Sequence, residues 1–132
     1  MRKTLSLSCL LLLLYTHAVA QQCLSGDCKN GFGKYQYKNG DIYEGYFKGG
    51  YSNGKGKMTY ANGEVLESDW VNGYANGQCT FYFKDGRKYV GGIKDGYWEG
   101  KGNFYWPDSS SYEGNWSVGK RTGLGNHVYK DK

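Results

Sequence analysis

The chain has 132 residues, a formal net charge of +5, 22 glycines and one proline. That much glycine argues against long helices, and a single proline argues against a collagen-like or disordered linker. Acids and bases are interspersed along the whole chain, so no concentrated basic face is expected and nucleic acid is not an expected partner.

The amino-terminal segment places Arg2 and Lys3 before an apolar run from Leu5 to Tyr15, followed by Thr16, His17 and the small residues Ala18-Val19-Ala20. This is the pattern of a signal peptide over residues 1–20, with cleavage expected after Ala20 and a periplasmic or extracellular destination. The run is too short to cross ~30 Å of hydrocarbon at 1.5 Å per residue, and no other stretch is apolar enough, so no transmembrane segment is expected. The remaining 21–132 portion keeps every aromatic except Tyr15 but only eleven residues of the Leu, Ile, Val and Met type. One small domain rich in aromatic residues and glycine is implied.

A repeat of 23 residues organises that domain. Tyr43, Leu66, Tyr89 and Tyr112 open the segments YEGYF, LESDW, YVGGI and YEGNW. Further columns keep the same spacing: Gly50, Gly73, Gly96 and Gly119; Gly54, Gly77, Gly100 and Gly123; Gly56, Cys79, Gly102 and Gly125; Tyr60, Phe83, Trp106 and Tyr129. A partial copy lies upstream, where Gly31, Gly33, Tyr35, Tyr37 and Gly40 match Gly54, Gly56, Met58, Tyr60 and Gly63. Inside each unit the alternation has period two, which puts Tyr43, Gly45 and Phe47 on one face of a first strand and Glu44 and Tyr46 on the other. A loop around Lys48 to Asn53 then leads to a second strand with Gly54, Gly56, Met58 and Tyr60 on one face. Each unit reads as a β-hairpin, and Asn39-Gly40, Asn62-Gly63 and Asp85-Gly86 supply the positive φ angles for tight turns between units. Glycines leave bare backbone that neighbouring rings can cover, so Tyr43, Phe47 and Tyr60 are expected over Gly45, Gly54 and Gly56.

The segments YEGYFKGGYSNGKGKMTYANGE, YVGGIKDGYWEGKGNFYW and YEGNWSVGKRTGLGNHVY closely resemble MORN repeats, whose pattern is Y-x-G-x-W, a loop glycine, then G-x-G and aromatics. The resemblance covers Cys23 to Lys132, as a partial repeat at 21–42 and repeats at 43–65, 66–88, 89–111 and 112–132. The second repeat departs most, with Leu66, Ser68 and Cys79 in place of a tyrosine and two glycines. Resemblance implies an all-β fold, an elongated single-layer antiparallel sheet of stacked hairpins, and a scaffolding, self-associating or partner-docking role without catalysis; contact with lipid is also associated with the family.

Candidate chemistry is sparse. His127 stands in a column otherwise holding Tyr35, Met58, Phe81 and Phe104, and a packing role is expected. No catalytic triad can be nominated. Glu44, Glu67, Asp69 and Glu113 face outward opposite Lys34, Lys55, Lys57 and Lys101, which suggests cross-strand ion pairs instead of paired catalytic carboxylates. Gly114 to Lys120 fits G-x-x-x-x-G-K, but Arg121 replaces the Ser or Thr that binds magnesium and a strand continues where a helix should start, so no nucleotide site is expected. No cofactor and no metal site are expected from three cysteines lacking zinc spacing. Cys23 and Cys28 can form a disulfide that caps a first unit lacking its opening aromatic, and Cys79 reads as a small buried residue. Asn115-Trp116-Ser117 is a glycosylation sequon on the outer face.

Surface recognition is the remaining possibility. The loop column Tyr51, Tyr74 and Tyr97, with Trp98, Lys120 and Arg121 in the same loops, is the expected binding surface. The alternative is that each tyrosine merely covers glycines of the next loop. A secreted or envelope binding module for protein partners or copies of itself is the leading expectation; anionic membrane lipid and glycan are the alternatives.

Overall fold

The computed structural model describes residues 20–130, so the predicted signal peptide lies, apart from Ala20, outside the described residues. Ten strands follow one another: β1 (Gln22–Gly26), β2 (Phe32–Gln36), β3 (Ile42–Lys48), β4 (Tyr51–Thr59), β5 (Val65–Val71), β6 (Tyr74–Tyr82), β7 (Lys88–Lys94), β8 (Tyr97–Tyr105), β9 (Ser111–Ser117) and β10 (Lys120–Val128). Each pairs antiparallel with its neighbours in sequence, giving one open sheet in the order β1 to β10 with β1 and β10 as its edges. The expected all-β stack of hairpins is what forms.

Two lateral rows fix the register. Tyr35, Tyr43, Met58, Leu66, Phe81, Tyr89, Phe104, Tyr112 and His127 stand opposite one another in turn from β2 to β10. Beside them runs a second row: Gly33, Gly45, Gly56, Ser68, Cys79, Gly91, Gly102 and Gly114. The rings of the first row lie over the second. A methyl group on Gly56 would overlap the Tyr43 ring, and one on Gly102 or Gly125 would overlap Tyr89 or Tyr112. Facing glycines let the two backbones approach so closely that a Cβ on Gly45 would sit 2.5 Å from the Gly56 Cα. Tyr43 and Tyr89 are consequently the largest fully buried side chains.

The second unit resolves its departures as one exchange. Tyr43 donates its hydroxyl hydrogen bond to the Tyr46 carbonyl at 3.1 Å, and Tyr89 donates to the Gly92 carbonyl at 2.9 Å, three residues along in each case. In the second unit Leu66 has no hydroxyl, and the Ser68 Oγ donates to the Asp69 carbonyl, the equivalent acceptor, at 2.9 Å. Ser68 and Cys79 stand opposite each other at the two glycine positions a ring would otherwise cover. The volume moved from the ring to the backbone positions beneath it.

The turns between units fall at the expected dipeptides with the expected positive φ at their glycines, but they are not the tightest turns of the sheet. Those connections carry positive φ at the glycine alone, Gly40, Gly63 and Gly86, while Asn39, Asn62 and Asp85 do not. Gly40 donates its N–H to the Tyr37 carbonyl at 2.9 Å and Tyr37 donates to Asp41 at 2.8 Å, the pattern of a type I turn followed by a glycine bulge. The two-residue turns with φ positive at both centres are inside the units, at Gly49-Gly50, Asn72-Gly73, Asp95-Gly96 and Val118-Gly119. The expected loop around Lys48 to Asn53 is thus a minimal hairpin turn, because β4 begins at Tyr51. From β3 onward the later strand of each hairpin runs nine residues against seven in its partner, and the excess is absorbed in a register shift that sets Gly54, Gly77, Gly100 and Gly123 at positive φ. Gly54 is therefore required by backbone conformation and not, as expected, by a ring above it.

Units are sewn together by side chain and main chain alike. Trp70 and Trp116 donate from Nε1 to the carbonyls of Gly56 and Gly102 in the preceding hairpin, at 3.0 and 3.2 Å. Their indoles meet Tyr43 and Tyr89 edge to face at 5.2 Å, a geometry worth about 0.5–1.5 kcal/mol beyond burial. Each turn glycine from Gly50 to Gly119 donates to a carbonyl of the previous unit: Lys29, Ser52, Ala75 and Trp98. On the outer face, Lys34–Glu44 and Lys55–Asp69 pair at 3.3 Å, as the cross-strand reading expected, whereas Lys101 stands opposite Asn115 and not an acid. Such exposed pairs contribute about 0–1 kcal/mol each.

At the amino end the structure joins Cys23 to Cys28 with the Cα atoms 5.9 Å apart. The Cys28 Sγ would lie 2.9 Å from a Cβ on Gly33, the position equivalent to Gly56. The bridge therefore covers, in the unit without an opening aromatic, the glycine a tyrosine ring covers elsewhere.

Two stability outcomes follow from these contacts. Leu66→Tyr alone destabilises by about 2 kcal/mol because Ser68 and Cys79 occupy the ring's space, while adding Ser68→Gly and Cys79→Gly restores most of that loss; additive losses in thermal melts would contradict the exchange. Val118 holds φ 48° where Asn72 and Asp95 hold the same place in their turns. For this β-branched residue the angle is strained, so Val118→Asn raises the melting midpoint by about 4 °C, corresponding to about 1 kcal/mol.

Candidate functional site

The six residues expected to form one binding surface divide between the two faces of the sheet. Tyr51, Tyr74 and Tyr97 each open the second strand of a hairpin and are 62%, 61% and 59% exposed. Lys120 continues that column, since it opens β10. Tyr51 comes within 3.6 Å of where a Cβ on Gly73 would be, so one of the three rings shields the next turn; nothing stands equally near Gly96 or Gly119. Lys48 and Lys94 stand opposite Tyr51 and Tyr97, and Val71 opposite Tyr74. The column is an exposed ladder of phenols with lysines interleaved.

Trp98 and Arg121 belong to the other face. They share a column with Ser52 and Ala75, and the column's register partners are Phe47, Trp70, Ile93 and Trp116. Trp98 stacks on Tyr89 with ring centroids 4.2 Å apart and meets Trp116 edge-on at 5.1 Å. The Arg121 guanidinium lies over the Tyr112 ring at 4.9 Å. Ser52 and Ala75 are buried, whereas Trp98 is half-buried and Arg121 exposed. Along this column the side chains enlarge and emerge toward the carboxyl end.

Their emergence creates a groove of ≈ 530 Å³ walled by Phe83, Trp98, Phe104, Trp106 and Trp116 and rimmed by Arg87, Lys120 and Arg121. A second hollow of ≈ 280 Å³, with Tyr60, Phe81 and Ile93 in its walls, shares Trp98 and Gly119 with the first. Sequence reasoning missed Arg87, Phe83 and Trp106 as members. The signal was available in the column Asp41, Glu64, Arg87 and Ser110, where charge reverses from acid to base within one repeat position. Arg87 itself is engaged: its Nε donates to Asp85 Oδ2 at 2.7 Å, and its guanidinium lies 4.6 Å over Phe83. That hydrogen bond holds the Asp85 carboxyl below the usual carboxylate range.

Other candidates have structural employment. His127 stacks between Trp106 and Tyr129, at 5.1 and 4.3 Å, in keeping with the packing role expected of it. Asn115 is exposed on the outer face of β9. Cys79 is buried, and desolvation pushes its thiol from 9.0 up to about 12, far from nucleophilic activation. Burial likewise raises the phenols of Tyr43 and Tyr89 well above their ordinary 10.0. Because these folded values are raised, the stability they contribute is complete below the unfolded values and is lost as pH climbs through them. The native chain at about pH 8 therefore leaves Cys79 unmodified by a thiol reagent, and loss of β-sheet circular dichroism sets in above about pH 9–10. Rapid native modification of Cys79 would contradict its placement.

A likeness to one solved structure is distant: the SAS-4 (dCPAP) TCP domain in complex with a proline-rich motif of Ana2 (dSTIL) from Drosophila melanogaster is 16% identical with a TM-score of 0.34, over 84% of this chain and 73% of that one. No curated protein matches the chain. The MORN repeat model matches five successive segments, residues 27–42, 43–65, 67–86, 89–111 and 112–132. Such repeats are generally binding modules for proteins or membranes. With five tandem matches and one hairpin sheet built from them, the chain belongs to the MORN-repeat family.

Proposed function

We propose that the chain is a non-catalytic binding module, working outside the cytoplasm, that docks a partner protein on the ring-bearing face of its carboxyl-terminal half. The observation that carries this reading is the groove around Trp98, where the half-buried rings of Phe83, Trp98 and Trp106 line an open hollow beside cations. Aromatic anchors with an arginine at the margin are the composition that dominates protein recognition energetics. The Cys23–Cys28 bridge supports an oxidising destination, in line with the signal-like first segment. The ladder of Tyr51, Tyr74 and Tyr97 supports a second reading, attachment to an anionic membrane surface, since tyrosines and lysines together suit a lipid headgroup region.

Two variants separate the readings. Trp98→Ala weakens protein partner binding by about tenfold or more while leaving vesicle binding intact. Simultaneous replacement of Tyr51, Tyr74 and Tyr97 by Ala leaves partner binding and the melting midpoint nearly unchanged. If the triple variant loses the partner and Trp98→Ala does not, the ladder is the docking surface; salt-sensitive cosedimentation of the wild type with phosphatidylglycerol vesicles, lost in the triple variant, would favour the membrane.

A further inference from the structure

The groove is electrically one-sided. Its rim carries Arg87, Lys120 and Arg121, and no carboxylate lines it. Arg87 is tied to Asp85, but Lys120 and Arg121 make no ion pair among the described residues. A guanidinium presents five N–H donors in a planar fork, and stacking over the Tyr112 ring satisfies none of them. What the site lacks is an acceptor of the shape the fork matches, a carboxylate. The apolar walls supply the complementary demand, since Phe83, Trp98 and Trp106 surround space open enough to admit a side chain next to the Arg121 guanidinium. At the far end of the same face the polarity is reversed, with Asp41 and Glu64 bordering a hollow beside Tyr60 and Phe81.

Resting on the docking reading above, we infer that the groove takes an acidic, extended segment of a partner protein, with a carboxylate on Arg121 and an adjoining aromatic or aliphatic residue against Trp98. A second copy of this chain fits less well, because the chain itself is basic at +5. Arg121 is the charge reader and Trp98 the apolar anchor. Attraction between the basic rim and an acidic segment also accelerates encounter and makes binding sensitive to salt.

The test is selection of binders to the full chain from a random dodecapeptide display library. Selected sequences should carry about two or more excess carboxylates next to an aromatic or aliphatic residue. As synthetic peptides they should bind about tenfold more weakly to the Arg121→Gln variant, weaken again when their Asp and Glu become Asn and Gln, and weaken with added salt. Arg121 is exposed, and unchanged near-ultraviolet circular dichroism of the variant keeps folding apart from recognition. Binders that need Trp98 but show no acidic enrichment overturn the charge assignment and leave the docking reading standing. A library yielding nothing dependent on Trp98 overturns the docking reading itself. Displacement of the peptides by phosphatidylglycerol vesicles, or by added copies of the chain, overturns the acidic-segment assignment in favour of lipid or self-association.

Discussion

A phenol ring laid across two facing glycines is the contact on which the hairpins rest. Glycine lets the paired strands approach, and the approach leaves backbone that needs a cover; the ring supplies the cover, and its hydroxyl reaches a carbonyl at the point where the hairpin register shifts. Ring, glycines and shifted register therefore depend on one another. This explains how eleven aliphatic residues suffice, since the buried interior is built largely from Tyr43, Trp70, Tyr89, Phe104, Tyr112 and Trp116. It also explains why the chain can meet the same demand in three ways. A tyrosine covers Gly56, Gly102 and Gly125, Ser68 and Cys79 fill the space themselves under Leu66, and a disulfide sulfur lies over Gly33.

The covering of one hairpin is completed by the next. Trp70 and Trp116 reach back to carbonyls of the preceding unit, and each turn glycine does the same through its main chain. Stability of this kind is shared between neighbours, so the two ends are the exceptional places. The amino end is closed covalently. At the carboxyl end β10 is the edge of the described sheet: Leu124 is 96% exposed, and Trp106, His127 and Tyr129 stack on one another.

Much of the fold could be read from the sequence because the signal was redundant. Four copies at 23-residue spacing reported the same alternation, and the register rows are that spacing made visible. The turns between units were legible in place but not in conformation, because the dipeptides Asn-Gly and Asp-Gly serve two conformations. In Asn72-Gly73 both residues take positive φ, whereas in Asn62-Gly63 only the glycine does, and the difference lies in hydrogen bonds across the turn that local composition does not encode. The site was half legible for a related reason. Tyr97 and Trp98 are adjacent in sequence, but in a strand adjacent side chains face opposite ways, so grouping them as one loop joined residues that the pleat separates. Arg87 was overlooked because, Phe83 apart, its neighbours in the groove come from distant strands.

Exact repetition would have produced a uniform face with nothing to distinguish one unit from another. The functional content of the chain therefore lies in the columns that drift. Ser52, Ala75, Trp98 and Arg121 pass from small and buried to large and open, and Asp41, Glu64 and Arg87 pass from acid to base. The acid-to-base change ends at Arg87, since Ser110 returns that column to neutral, and the two drifts coincide where Trp98, Arg87 and Arg121 meet. Columns that cover glycine are held by packing and change only through compensated exchanges such as that at Leu66, Ser68 and Cys79. Columns at the margins carry no such obligation, and their residues can change one at a time without disturbing the register. A recognition surface on this scaffold therefore arises where margin columns depart from repetition together, which places it at the carboxyl-terminal hairpins and not along the regular ladder of tyrosines.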